Sequence, residues 1–209
     1  MCGRFAQPRS ADELARIFHA RPATDLAGEQ FNVAPTDEVA GVVEQRGERI
    51  VDAFRWGLVP FFADSSKGAA RLINARAETV ETSPSFRDAF RRRRCILPAD
   101  AFYEWRRERD PATGRTTRAQ PFAIRRLDGQ PLAFAGIWAI WRNPQTAERL
   151  YTCSIITTQA NELVGQLHDR MPVLLEAEDW DGWLAEGTAA QALRGLLHPA
   201  PAGDLDVYA

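Results

Sequence analysis

Ile96-Leu97-Pro98-Ala99-Asp100-Ala101-Phe102-Tyr103-Glu104-Trp105 is the stretch that decides the fold. It is apolar over most of its length and aromatic at its end, the composition of a strand laid against a core. Residues 121–126, 132–141 and 150–157 repeat the pattern, with a polar excursion at 110–119 between the first two runs. The middle of the chain therefore reads as sheet. Working outward, residues 39–43 and 48–54 form a hairpin around Gln45-Arg46-Gly47, and Trp56-Gly57-Leu58-Val59-Pro60 then breaks the regularity before a polar loop at 64–68. Ser10-Ala11-Asp12-Glu13 reads as a capping box ahead of Leu14, Ile17 and Phe18, and Phe86 and Phe90 lie four apart in a helical segment at 84–93. Residues 161–167, 178–184 and 189–197 read as further helices, with Trp180 and Trp183 in the core. No repeat, linker or composition break divides the chain. The expectation is a single compact α+β domain over residues 1–209, built on a curved or barrel-like, mostly antiparallel sheet with peripheral helices.

Composition narrows the function classes. A chain of 209 residues that is 45% hydrophobic can bury a core without staples, and Cys2, Cys95 and Cys153 have no short spacing that would suggest a disulfide framework or a thiolate metal site. No apolar run is long enough to cross a bilayer, so a soluble, cytoplasmic protein is expected. The net charge of −2 conceals an asymmetry: residues 71–126 hold 14 Arg against 7 Asp or Glu, while the rest holds 12 basic and 21 acidic residues. Arg91-Arg92-Arg93-Arg94 stands in the basic segment, either as a solvated helix face or as part of a polyanion footprint.

The amino terminus carries unusual chemistry. Removing Met1 would make Cys2 a 1,2-aminothiol, whose amine and thiol have reference pKa values near ~7.7–8.0 and ~8.5 and so are both partly nucleophilic at neutral pH. The amine condenses with an aldehyde to an imine, and the thiolate closes on the imine carbon as a thiazolidine; the thiol alone could instead attack an amide. The plain alternative is an accidental cysteine on a loose terminus. Three other motifs bear on the chemistry. Glu104 sits between Tyr103 and Trp105, where desolvation suits it to proton transfer if it points inward, although alternation along the strand leaves an outward orientation equally open. His168 falls on a loop ended by Pro172. Asn74 and Arg76, two residues apart in an extended segment, project to one side.

Met1 to Phe5, Phe31-Asn32-Val33-Ala34-Pro35-Thr36, Arg55 to Pro60, Asn74-Ala75-Arg76-Ala77-Glu78-Thr79, Phe102 to Trp105 and His168 to Pro172 appear in the order found in the SOS response-associated peptidase (SRAP) family. The chain resembles that family from residue 1 to about residue 184. The resemblance implies a compact α+β domain around a curved sheet. It also implies protection of abasic sites in single-stranded DNA through a thiazolidine crosslink to the N-terminal cysteine. On this basis the catalytic residues are Cys2, Asn74, Glu104 and His168, and the DNA-contacting residues are Arg4, Asn32, Trp56, Arg76, Trp105, Thr157 and Arg170. Arginines suit phosphates and tryptophans suit stacked bases. Ala101 stands where a glycine often precedes the aromatic-Tyr-Glu-Trp motif, Phe62 replaces a frequent tryptophan, and residues 203–209 lack the usual ending.

The resemblance implies no metal or organic cofactor, a monomer, and abasic single-stranded DNA as partner. Rival readings are an N-terminal-nucleophile peptidase or amidohydrolase, whose glutamine-binding motifs are missing here, and a non-covalent reader of modified bases in which Cys2 is a bystander.

Overall fold

The run at 96–105 is not one strand. It breaks at Asp100, whose N–H donates to Ala6 O (2.8 Å), and its two halves enter different sheets. The computed structural model describes residues 2–22, 26, 28–109, 113 and 116–209. Among them the strands are, in chain order, β1 (Phe5–Gln7), β2 (Arg21–Pro22), β3 (Gln30–Val33), β4 (Glu38–Gln45), β5 (Glu48–Trp56), β6 (Asn74–Arg76), β7 (Arg94–Ala99), β8 (Ala101–Arg109), β9 (Thr116–Arg126), β10 (Leu132–Arg142), β11 (Arg149–Gln159), β12 (Arg170–Pro172) and β13 (Leu205–Tyr208). The helices are α1 (Ala11–Ile17), α2 (Arg87–Arg92), α3 (Trp180–Leu184) and α4 (Ala190–Gly195).

One sheet has the order β13-β9-β8-β1-β3. In the other, β11, β10, β7, β4 and β5 pair antiparallel in turn, and β5 then pairs parallel with β11 through Arg55 and Trp56, which closes a five-stranded barrel. Its β4–β5 hairpin turns on Arg46 (φ 56°) and Gly47 (φ 79°), the doubly positive geometry whose twist matches the strands it joins. β6 and β12 add to β11, parallel and antiparallel respectively.

Alternation along the barrel strands divides the core in two. Val42, Ile96, Ile137 and Ile156 pack with Leu14 and Phe18 of the α1 region, Phe90 of α2 and Trp183 of α3. Val39, Phe54, Leu97, Phe134 and Ile155 meet Phe5, Phe102 and Ile124 of the five-stranded sheet. Glycine is required on that second face: a Cβ at Gly136 would lie 2.8 Å from Cys95 Sγ. Gln7 ties the sheet to the barrel, donating to Ala40 O (3.0 Å) and Pro98 O (2.7 Å) and accepting the Ala40 N–H (2.7 Å).

Several expectations need correction. Part of the polar excursion at 110–119 lies outside the described residues, and its last residues belong to β9, which starts at Thr116 and not at 121. The helix expected at 161–167 is only a 3-10 turn, Val164–Gln166: Asn161 caps its start, accepting the Val164 N–H (2.9 Å) and donating to Ala200 O (2.9 Å), but Gly165, a poor helix former, sits in its middle. The tail at 203–209 does dock, as β13 against β9. The capping box forms, with Ser10 and Glu13 each bonding the other's backbone.

Candidate active site

Met1 lies outside the described residues, and Cys2 is fully buried, so the loose-terminus alternative does not describe this chain. Two interactions hold it. Asn74 at the start of β6 donates from Nδ2 to Cys2 O (2.8 Å), and β1 seats the following residues against β8, with Phe5 opposite Phe102 and the Tyr103 N–H donating to Arg4 O (2.9 Å). Trp56 belongs to the same core cluster and is wholly buried, its ring edge-on to Phe5 at 4.9 Å and its Nε1 donating to Ile73 O (3.0 Å). The barrel closure at Trp56 thus lies in the same core cluster as the cysteine.

Glu104 resolves the orientation that the sequence left open. It is 4% exposed and shares the inward face of β8 with Phe102, while Tyr103 and Trp105 are only half-buried on the other face. Its charge bears on Cys2: burial pushes the thiol far above its ordinary pKa, and the Glu104 carboxylate pushes it further in the same direction. The expectation of a partly ionised thiol at neutral pH is corrected accordingly. In this buried setting the thiol is protonated, and a thiolate has to be produced by a base at the moment of reaction.

β6 and β12 flank β11 and bring in the other residues. Asn74 is opposite Ile155 and Arg76 opposite Thr157; Ala75 between them is buried, so Asn74 and Arg76 do share a side, with Arg76 exposed. Arg170 on β12 donates from Nη1 and Nη2 to the two carboxylate oxygens of Glu78 (2.6 and 3.0 Å) and from Nη2 to Thr157 O (2.6 Å). His168 occupies the turn before β12, a third exposed. Its Nδ1 lies 3.0 Å from the Arg170 N–H and 2.8 Å from Asp169 Oδ1, contacts that demand opposite protonation of that nitrogen. The backbone N–H is a fixed donor, so in the neutral form of the ring Nδ1 accepts from it and the ring proton lies on Nε2. Across the site, Arg4 Nη1 donates to Asn32 Oδ1 (3.0 Å), and Asn32 is exposed.

Two of the residues named for DNA contact have no side-chain surface to offer. Trp56 packs in the core, and Thr157 is fully buried with its carbonyl taken up by Arg170 and by the Ala77 N–H. The residue type alone could not show this, since a tryptophan suits a stacking platform and a core floor equally. Exposed aromatic faces occur instead at Phe31, Phe61 and Phe62, the last two in edge contact at 5.3 Å. Sequence reasoning gave no role to Glu78, although it stands two residues beyond Arg76 in the same motif.

A family model described as SOS response associated peptidase (SRAP) matches residues 1–209. The chain is 39% identical over 212 residues to the abasic site processing protein YoqW of Bacillus subtilis, an alignment covering all of this chain and 91% of that one. It is 31% identical over 192 residues to the abasic site processing protein YedK of Escherichia coli, covering 89% of this chain and 80% of that one. The crystal structure of a Bacteroides thetaiotaomicron protein superposes with a TM-score of 0.88 at 28% identity, covering 99% of this chain and 91% of that one. With its whole length matched, the chain belongs to the SRAP family.

Proposed function

We propose that this protein processes abasic sites in single-stranded DNA by joining them covalently to Cys2 once Met1 has been removed. The observation that carries the reading is the burial of Cys2 with its carbonyl held by Asn74 and with the Glu104 carboxylate within electrostatic reach of its thiol. A cysteine that served only as a second residue would need neither. The relatives named above as abasic site processing proteins support the substrate class.

The steps follow from the chemistry of an aminothiol. The α-amine of Cys2 adds to the aldehyde carbon of the ring-opened deoxyribose, and loss of one water leaves an imine. The Cys2 sulfur then bonds to the imine carbon, its proton passing to Glu104 and from there to the ring nitrogen, so that aldehyde plus aminothiol gives thiazolidine plus water. Asn74 fixes the terminus so that both nucleophiles reach one carbon. His168, with its proton on Nε2, assists proton movement in the opening of the sugar or the loss of water. Arg4, Asn32, Arg76, Trp105 and Arg170 hold the strand, and the exposed phenylalanines offer the stacking faces that Trp56 does not. An abasic nucleotide lacks a stacked base, which lowers the cost of drawing it toward a buried cysteine.

Separating the two nucleophiles tests this. Cys2→Ala keeps the amine and loses the thiol, so borohydride should trap an imine adduct with an abasic oligonucleotide, while no adduct should survive heating without reductant. A heat-stable adduct formed by Cys2→Ala without reductant would rule out the thiazolidine.

A further inference from the structure

Arg170, one of the residues assigned above to holding the strand, has its guanidinium already engaged. The two Nη atoms meet the two oxygens of Glu78 in a fork-to-fork pairing, Nη2 also donates to Thr157 O, and Nε is buried without a hydrogen-bond partner. The Arg170 side chain is only 12% exposed, whereas that of Glu78 is 50% exposed, so Glu78 is the lid and Arg170 the part beneath it. A phosphate presents the same planar pair of acceptors to arginine as a carboxylate does. The edge of Arg170 that could grip a phosphate is therefore the edge that Glu78 covers.

We propose that Glu78 occupies, in the unliganded protein, the seat on Arg170 that a phosphate of single-stranded DNA takes on binding, and that this competition sets how tightly the strand is held. The proposal rests on the DNA-binding reading above and adds to it a residue with a negative effect on affinity. The setting favours displacement over permanent pairing. Glu78 is half in water, so leaving Arg170 returns its carboxylate to solvent at low cost, while Thr157 O keeps the guanidinium in position. Arg76, exposed two residues away, supplies a second cation for the arriving strand. An incoming phosphate then exchanges one anion for another on Arg170 without reorganising the fold.

The test is a binding titration of the full chain with an intact, base-complete single-stranded oligonucleotide, where no crosslink can form, at several salt concentrations. Glu78→Gln removes the charge but keeps an acceptor near Arg170. It should bind about 5–10-fold more tightly than wild type at low salt, and the slope of log affinity against log salt should steepen by about 0.7, one further phosphate engaged. Glu78→Asp, which keeps the carboxylate, should stay near wild type. In an Arg170→Gln background the Glu78→Gln gain should vanish, because the effect acts through that guanidinium; a gain that persists there overturns the proposal as a mere change of net charge. Wild-type binding with Glu78→Gln equal or weaker would also overturn it while leaving the DNA-binding reading intact. Salt-insensitive or absent binding by wild type would remove that reading and the inference with it.

Discussion

At the scale of single residues, Glu104 has two properties that pull against each other. Its charge adds to the burial that keeps the Cys2 thiol protonated, yet in the proposed reaction it is also the base that receives the proton when the sulfur bonds to the imine carbon. In the proposed reaction the amine reacts first, and the sulfur loses its proton only as its bond forms. Glu104→Gln should then slow adduct formation by about 10²–10⁴-fold while leaving the affinity for intact single-stranded DNA nearly unchanged, as measured by single-turnover rates on denaturing gels beside an equilibrium titration. Equal losses in rate and affinity would show that Glu104 serves to hold the strand and not to move protons. The inward orientation of this residue was not legible in the sequence, because Tyr103 and Trp105 on either side are as apolar as the core. Only the placement of β8 over Phe134, through Phe102 at 6.1 Å, distinguishes the faces.

At the scale of elements, the run Arg91 to Arg94 shows how a linear charge cluster dissolves on folding. Arg94 is buried and spends its donors on four carbonyls, Phe90 O (2.9 Å) and Arg91 O (2.8 Å) at the end of α2 and Trp183 O and Ala185 O (both 2.6 Å) around the end of α3. It caps two helices at once, and burial lowers its pKa. Arg93 instead lies over Trp138, with 5.8 Å to the ring centre, leaving Arg91 and Arg92 exposed. Arg94→Leu should cost about 3–5 kcal/mol in denaturant unfolding, since four carbonyls, two of them in buried bonds, lose their donor, whereas Arg92→Leu should stay within about 0.5 kcal/mol. Similar small effects for both would show that the helix ends are satisfied in some other way. The local excess of positive charge at 71–126 is likewise reduced by partners from other segments: Arg125 pairs with Asp206, and Arg126 with Asp128 and Glu176.

At the scale of the whole molecule, local pattern and long-range closure were unequally legible. The β4–β5 hairpin, the capping box at Ser10 and the strand character of the central segment depend on neighbours a few residues apart, and the sequence shows them. Closure of the barrel joins Arg55 and Trp56 to Thr152 and Cys153, close to a hundred residues away, and no local signal marks it. The same holds for the division of 96–105 between two sheets, which depends on Asp100 reaching Ala6 of β1. This long-range closure organises the surroundings of Cys2, because it brings Trp56 into the same core cluster, while β6, with Asn74, lies alongside β11. The chain-order motifs therefore named candidate residues, while the fold determined which of their side chains reach the surface.

In the proposed function Cys2, through both its amine and its sulfur, becomes bonded to the sugar of an abasic site. The most direct measurement is the intact mass of the native full-length chain after incubation with a single-stranded oligonucleotide bearing one abasic site, without reductant and after heating. The predicted species is the protein without Met1 plus one oligonucleotide, less one water, and it should not form when the oligonucleotide is intact or when a residue is retained ahead of Cys2. A heat-stable adduct of the same composition on protein that retains Met1 would contradict the account, as would the absence of any adduct on protein that has lost it.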